Sequence, residues 1–586
     1  MLTRREFMWS GAGVALLAGR NAFGATSSKP IARIGFMTDT HIEKSKESCA
    51  RVKKAFELFR SRGVDAICHG GDLADWHYES GYRFYREAYE EAYAGAKREP
   101  RLLYSFGNHD ALNPAEQTDP KQPHLLDLRE AFEDMKRRLK IDHGLLEETE
   151  VNGVPVLVTP QTQRLIGGTE EIERRILALE AKYPTGPIVF LTHMPPRDTT
   201  SGSDGSSDPT TKALFKKHPR VIAFTGHTHN SLRNPLCIWQ GGFTAVNLGC
   251  LQVWHGSSVG FPVAGKKSYE VIVAEFFPHE VVIRRYDVLD GREIGADDPW
   301  VVTLPYDPSA PAYAAEVRAK KERKGYFPKD AKVSFRTDAA PFDELTVAFS
   351  GAVNEDDVYV YLVTVEKNEN GAWTSVFRGE KFGEFWVRPS ERKGVGEAKF
   401  SAAYFDEGAR YRFTVKPRGF FGAEGDRAIS AEWTCPSKKA WKTVLDMTDP
   451  MSSKGLVYST DGWKTEKNFT VRPDGWIEIG DGKPVMRLPK GTWDGEKGRR
   501  FRVSADVSYR NVDGTKTGIT ISLPDKWSAP CGWITFDGSR DSFSARGVFD
   551  FKWWRVEHPD WTLNFGGKKG MLFRVSRILV ETANCL

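Results

Sequence analysis

Ile31-Ala32-Arg33-Ile34-Gly35-Phe36-Met37-Thr38-Asp39-Thr40-His41 begins as an apolar run and ends on polar residues, two of which can bind a metal. A short apolar run of this kind reads as a buried strand, so Asp39 and His41 stand where that strand gives way to a loop. The arrangement recurs four times downstream. Val64–His69 leads to Gly71-Asp72-Leu73-Ala74-Asp75, and Leu102–Phe106 to Gly107-Asn108-His109-Asp110. Ile188–Thr192 leads to His193-Met194-Pro195, and Val221–Thr225 to Gly226-His227-Thr228-His229. Further strands are predicted at Val154–Thr159, Phe243–Leu248, Tyr269–Phe277 and Val281–Leu289. Helices are predicted at Glu47–Arg62, Glu79–Lys97 and Leu125–Leu139, the first with Val52, Ala55, Phe56 and Phe59 on one face. This alternation predicts an α/β domain over residues 31–295, with its polar motifs at the C-terminal ends of strands, where such folds gather functional groups.

Imidazole nitrogens and carboxylate or amide oxygens are ligands for borderline divalent cations such as zinc, manganese and iron. One such motif is an ordinary turn; five in succession, each after a strand, read as a metal site. Their order and residues resemble the calcineurin-like metallophosphoesterase superfamily, over about Ile31–Leu289. The resemblance implies a four-layer αββα catalytic sandwich that binds two divalent metal ions (Mn, Zn or Fe). Asp39, His41, Asp72 and His229 would hold the first ion; Asp72, as a bridge, would hold the second with Asn108, His193 and His227. It also implies hydrolysis of a small-molecule phosphoester by a hydroxide bridging the ions. His109 would be the catalytic residue at the leaving group, with Asp110 beside it orienting the imidazole. Asp75 is a candidate to brace a ligand histidine, against a plain turn role. His69, Trp76, His77, Arg164, Arg197 and His255 are candidate cleft residues, although packing or surface roles are commoner for such residues. Purple acid phosphatases carry a tyrosine where Asp75 stands and lack a counterpart of His41. The motifs are closer to the cyclic-nucleotide and glycerophosphodiester phosphodiesterase branch, which leans the expectation to phosphodiesters. The alternatives are a phosphomonoesterase or nucleotidase, and a non-catalytic envelope protein that uses the fold as a scaffold and binds glycan.

Upstream, Thr3-Arg4-Arg5-Glu6-Phe7, the mildly apolar run Ser10–Gly19 and Ala22-Phe23-Gly24 resemble a twin-arginine signal over residues 1–24. The run is shorter than the roughly 20 residues a bilayer span needs. The expectation is an exported bacterial protein, periplasmic or attached to the envelope, with no transmembrane segment in the mature chain. Downstream, a proline-spotted connector covers 296–330. Alternating runs over 331–436, ending in Tyr411-Arg412-Phe413-Thr414-Val415, resemble a fibronectin type III β-sandwich in which a tyrosine packs at a strand corner. Residues 440–586 read as a jelly-roll-like sandwich closed by pairing of Trp441–Met447 with Met571–Glu581. This last stretch holds nine of the 17 tryptophans. An exposed member of Trp553-Trp554 could stack on a sugar ring, making glycan a candidate partner of the C-terminal domain, although core packing is the commoner use of tryptophan.

With 586 residues the chain exceeds the roughly 250–300 that one core organises. A mean hydropathy of −0.46 excludes a multispanning membrane protein. Net charge is +5, of which Arg4, Arg5 and Arg20 against Glu6 supply +2, leaving +3 after the leader. Such near-neutrality argues against a nucleic-acid partner, which calls for a basic surface. Seven scattered cysteines describe no disulfide framework, with a Cys237–Cys250 pair left open.

Overall fold

The computed structural model describes residues 29–584, apart from 45, 120–121, 204–208, 255–260, 262–265, 268, 355–356, 449, 451–456, 459–468, 481–483, 489–498, 516, 523–531 and 553–561. The expected leader at 1–24, His255 and Trp553-Trp554 therefore lie outside the described residues. The chain divides into two compact units. The first runs to Leu232 and adds Ile238–Gln252 and Ser268–Pro311; the second takes Arg233–Cys237, Val253–Lys267 and everything from Ala312 onward.

The first unit is built on two sheets. Its strands are β1 (Ala32–Met37), β2 (Ala66–His69), β3 (Arg101–Tyr104), β4 (Glu147–Val151), β5 (Val154–Val158), β6 (Ile188–Thr192), β7 (Val221–Thr225), β8 (Ile238–Gln240) and β9 (Thr244–Asn247). The ribbon β10 (Val253–Trp254) and β11 (Lys266–Lys267) belongs to the second unit. Then come β12 (Glu270–Phe276), β13 (Glu280–Asp287), β14 (Arg292–Ile294) and β15 (Trp300–Thr303). The seven-stranded sheet has the order β14-β13-β12-β1-β2-β3, with β15 also on β13; the six-stranded sheet is β4-β5-β6-β7-β9-β8. Parallel pairing of β1 with β2 and β2 with β3, and of β5, β6, β7 and β9 in turn, brings their C-terminal ends to one edge of each sheet. Phe36 of β1 and Phe224 of β7 stack with ring centroids 4.0 Å apart, joining the two sheets.

Helices α1 (Ala50–Arg62), α2 (Glu79–Tyr93) and α3 (Leu128–Leu139) cover the larger sheet, whose core includes Val52, Phe56, Tyr85, Phe132 and Val273. α4 (Gly168–Lys182) and α5 (Pro209–Phe215) cover the smaller one, with Ile172, Ile176, Phe190 and Phe215 inside. Covered on both faces, β5, β6 and β7 are buried at every position, and their sequences are correspondingly continuous in apolar residues. α1 ends because Gly63 takes φ 61° and returns its N–H to Arg60 and Phe59 carbonyls. α3 starts where the Asp127 side chain accepts the N–H groups of Arg129 and Glu130. The result is the four-layer αββα arrangement expected. Two of its helices, α4 and α5, answer to no predicted helix, and the unit runs past 295 to Pro311 because Val302, fully buried in β15, completes the edge of β13.

The second unit is almost entirely β. A three-stranded sheet (Val333–Thr337, Glu344–Ser350, Val395–Ser401) faces a four-stranded one (Ala372–Phe382, Val360–Glu369, Arg410–Arg418, Ile429–Thr434). Their core holds Val347, Tyr361, Phe413 and Phe261, the last supplied by the segment between β10 and β11, with its ring centroid 5.3 Å from Phe377 and 5.4 Å from Phe400. The Tyr411 hydroxyl accepts the Asp406 N–H at 2.7 Å, the corner contact its position suggests. Beyond it, sheets of six and five strands enclose Val503, Ile519, Phe565 and Ile578. Lys442–Thr448 pairs antiparallel with Leu572–Asn584, as the two runs predict. The buried Asp343 carboxylate fastens these sandwiches together, accepting from Trp441 Nε1 at 2.9 Å, Arg500 Nη1 at 3.0 Å and Arg502 Nη2 at 2.5 Å. The Trp441 ring lies under the Arg502 guanidinium at 3.9 Å, and Trp476 under Arg510 at 4.1 Å, so both rings are taken up by packing. Cys237 and Cys250 are both buried. No helix among the described residues is long and apolar enough to cross a membrane.

Candidate metal centre

Each of the five motifs leaves the end of a parallel strand, and the fold brings all five together. Among the described residues three donor groups form, one of them His41, Asp75 and His109. Asp39, His41, Asp72 and His229 make the first; Asp72, His193 and His227 make the second, so Asp72 belongs to both. Asn108 joins the second group, its Oδ1 3.1 Å from His193 Nε2 and 3.1 Å from His227 Nδ1. All seven residues expected as ligands are thus in one cluster.

The backbone is bent to aim them. Asp39, His41, Asp72, His227 and His229 hold φ between 38° and 71°, the left-handed region that side chains other than glycine rarely occupy. Such residues persist only where their surroundings fix them, and they gather at functional sites. Here the surroundings are hydrogen bonds. Asp39 Oδ2 accepts from Thr38 Oγ1 at 2.7 Å and from the His227 N–H at 2.9 Å, while Asp72 Oδ1 accepts the His109 N–H at 2.8 Å. His193 Nδ1 lies 2.8 Å from the Gly70 carbonyl, a contact that makes it the donor and turns the Nε2 lone pair inward. Glycine is required by crowding at Gly107, where a Cβ would lie 2.2 Å from Asp72 Oδ1, and at Gly226, where it would lie 2.1 Å from Thr38 Oγ1.

The donor set suits divalent cations. His41 Nε2 and His229 Nε2 face one another at 3.0 Å, and His193 Nε2 lies 3.2 Å from Asp72 Oδ2. Asp39 Oδ1, fully buried, sits 3.0 Å from His229 Nε2 and 3.7 Å from His41 Nε2. Burial alone would lower the His41 pKa, but hydrogen bonds to Asp39 and Asp75 and the charge of Asp72 lift it to about 10. Against the same burial, Asp72 lifts His193 to about 9. Asp39 and Asp72 are held below the usual carboxylate range by these histidines in spite of being buried. Burial, reinforced by His193, pushes His227 down to about 4. A pocket that draws protons onto its imidazoles in this way carries a surplus of negative charge, which cations would take up while releasing those protons.

His109 stands at the edge of the cluster, its side chain about one-third exposed. Its ring partner is not Asp110. His109 Nδ1 lies 2.6 Å from Asp75 Oδ1, and the same oxygen is 3.4 Å from His41 Nδ1. Asp110 faces the other way: its carboxylate accepts the N–H groups of Gly107, Asp72, Leu73 and Ala74 at 3.0–3.2 Å. The expected orienting role thus falls to Asp75, and Asp110 instead shapes the loop that carries Asp72. His69 acts beside it from inside the protein, accepting the Gly71 N–H at Nδ1 and facing Thr40 Oγ1 with Nε2, each at 3.2 Å. It is 1% exposed, so it lines no cleft. The Asp75 role has a sequence signal, a second aspartate three residues after the bridging one; that of Thr38 has none beyond its place at a strand end.

The family profile described as calcineurin-like phosphoesterase matches residues 32–231. No curated protein matches the sequence significantly. Among solved structures, a dimetal phosphatase from Danio rerio is 12% identical over 47% of this chain and 99% of its own, with a TM-score of 0.30. A purple acid phosphatase from yellow lupin (Lupinus luteus) seeds is 14% identical over 46% of this chain and 53% of its own, with a TM-score of 0.33. A xylan-binding domain from Paenibacillus barcinonensis is 9% identical over 25% of this chain and 99% of its own, with a TM-score of 0.16.

Proposed function

Residues 32–231 being a calcineurin-like metallophosphoesterase domain, we propose that the protein hydrolyses phosphate esters with two divalent metal ions, prefers diesters, and works outside the cytoplasm. The observation that carries this reading is Asp72 shared by two donor groups, with the His109–Asp75 pair at their edge. Two cations held there supply positive charge to a phosphoryl oxygen and acidify water. The chain's own residues do the rest. Asp72 keeps the two groups in one register, Asn108 and His193 close the second, and Asp39 and His229 close the first. His109 Nδ1 faces Asp75 Oδ1, a contact that orients the ring and leaves Nε2 to carry a proton for the departing oxygen. Asp75 also braces His41, so the proton donor and one metal ligand share a support.

Diester preference rests on the motif set, in particular His41 and Gly226-His227-Thr228-His229; export rests on Arg4-Arg5 and the run after them. The test of the reaction is hydrolysis of bis-p-nitrophenyl phosphate against p-nitrophenyl phosphate after chelation and return of manganese, zinc or iron. Faster metal-dependent cleavage of the diester is expected. Preference for the monoester would move the assignment to a phosphatase or nucleotidase, and inactivity with every metal would overturn the enzyme reading.

A further inference from the structure

Asp39 and His41 share the loop that follows β1, and of the two metal groups only the first uses them. The hydrogen bonds of this loop can be traced group by group. The N–H groups of Asp39, His41 and Ile42 donate to the carbonyls of Gly71, Asp72 and Leu73 at 2.9–3.1 Å, and the Ile42 carbonyl accepts the Asp75 N–H at 3.2 Å. Thr40 Oγ1 donates to the Leu73 carbonyl at 2.7 Å. The carbonyls of Thr40 and His41 meet one side chain. Arg51 Nη2 donates to the first at 2.7 Å and reaches the second at 3.5 Å.

Nothing local recommends an arginine at this position. Arg51 is the second residue of α1, at the helix end where aligned peptide dipoles leave partial positive charge and a cation is disfavoured. The first turn holds no acidic residue, and the N-cap Cys49 makes no side-chain hydrogen bond. The guanidinium is partly buried. Its Nε is sealed from solvent without a hydrogen-bond partner among the described residues. Burial pushes its pKa down, against weaker upward pulls from Tyr269, Cys49, Cys250 and Glu43. Proteins break local rules of this kind where a site requires it. What Arg51 secures is the backbone of His41, whose φ of 38° persists only where its surroundings hold it.

Resting on the two-ion reading above, we infer that Arg51 is a positioning residue for the first metal ion, holding the Thr40–His41 backbone so that the Asp39 carboxylate and the His41 imidazole stay facing His229. It acts through the backbone, not through a ligand atom. Its own positive charge opposes a cation, so removing that charge by itself would tighten the ion. Positioning and charge therefore predict opposite signs for the same substitution. Asn108, His193 and His227 stand on other loops, so the second ion should be indifferent to it.

The test is calorimetric titration of the full chain with manganese and with zinc after chelation, which reads metal binding whether or not any ester is hydrolysed. Two backgrounds separate the ions: His193→Ala keeps the first donor group whole, and His229→Ala keeps the second. Adding Arg51→Met should weaken the ion by about 10- to 100-fold in the first background and by less than about twofold in the second. Arg51→Lys, whose ammonium can still serve the Thr40 carbonyl but lacks the fork, should fall between the methionine variant and the native arginine. Should Arg51→Met not fold, Arg51→Lys carries the same comparison, with its loss confined to the first background. Unchanged or tighter binding in that background, or an equal loss in both, would overturn the inference. A native chain that binds no metal would overturn the two-ion reading, and this inference with it.

Discussion

Asp72 and His109 are joined through one backbone contact yet do different work, and substitution should separate them. Asp72→Asn removes charge from both donor groups. Metal content should fall from two ions to fewer than one by elemental analysis, with hydrolysis lost by about a thousandfold or more. His109→Ala leaves every ligand in place; it should retain two ions and lose about 10²- to 10⁴-fold in kcat. Asp75→Asn should lower kcat by a similar factor, and adding His109→Ala should cost little more, because the two act as one pair. Equal losses that simply multiplied would show that Asp75 acts elsewhere. At this scale the sequence reveals which residues gather, because each ligand follows a strand of recognisable apolar pattern. It does not reveal who faces whom. Asp110 adjoins His109, but both lie in a single turn of 3₁₀ helix, where successive side chains diverge. The nearer neighbour in sequence therefore turns to the backbone while Asp75, from another loop, reaches the ring.

The loop after β2 is held as an element by Asp110. Four N–H groups converge on one buried carboxylate, three of them from successive residues. Asp110→Asn would set an amide NH2 against donors, and hydrogen bonds to a charged group are worth about 1.5–3 kcal/mol. A loss of about 3 kcal/mol in urea unfolding is expected, along with a metal affinity weakened by about 10- to 100-fold, as when a support behind a ligand is removed. Unchanged stability would mean the loop holds its own shape. Strands and the first three helices are legible because their apolar spacing is clean. α4 is not, because Glu170, Glu171, Glu173, Arg174 and Arg175 crowd the same turns as Ile172 and Ile176 and hide the stripe. β15 escaped for a different reason: among the prolines around it, four residues carry too little pattern to distinguish an edge strand from a connector.

Over the whole chain, two units imply two thermal transitions. Chelation should lower the transition of the metallophosphoesterase unit and leave the other in place, since only a state that binds metal gains from it. Within the second unit, Asp343→Ala would remove the buried carboxylate that Arg500, Arg502 and Trp441 share, leaving the two arginines only Asp550 among the described residues. Breaking a buried ion pair costs about 3–5 kcal/mol, so calorimetry should show the sandwiches' common transition fall and split; a single unshifted peak would mean they are held by other contacts. The order of domains is readable from where helical periodicity stops, near residue 330. That Val253–Lys267 is counted with the sandwiches is not, because no local pattern announces a distant partner. Phe261 in that segment has a history as well as a place. On the ribosome it is made more than a hundred residues before Phe377 and Phe400, the rings that will shelter it. At roughly 5–20 residues per second this is about ten seconds, during which every nascent chain carries a bare aromatic hook and chaperones have something to hold.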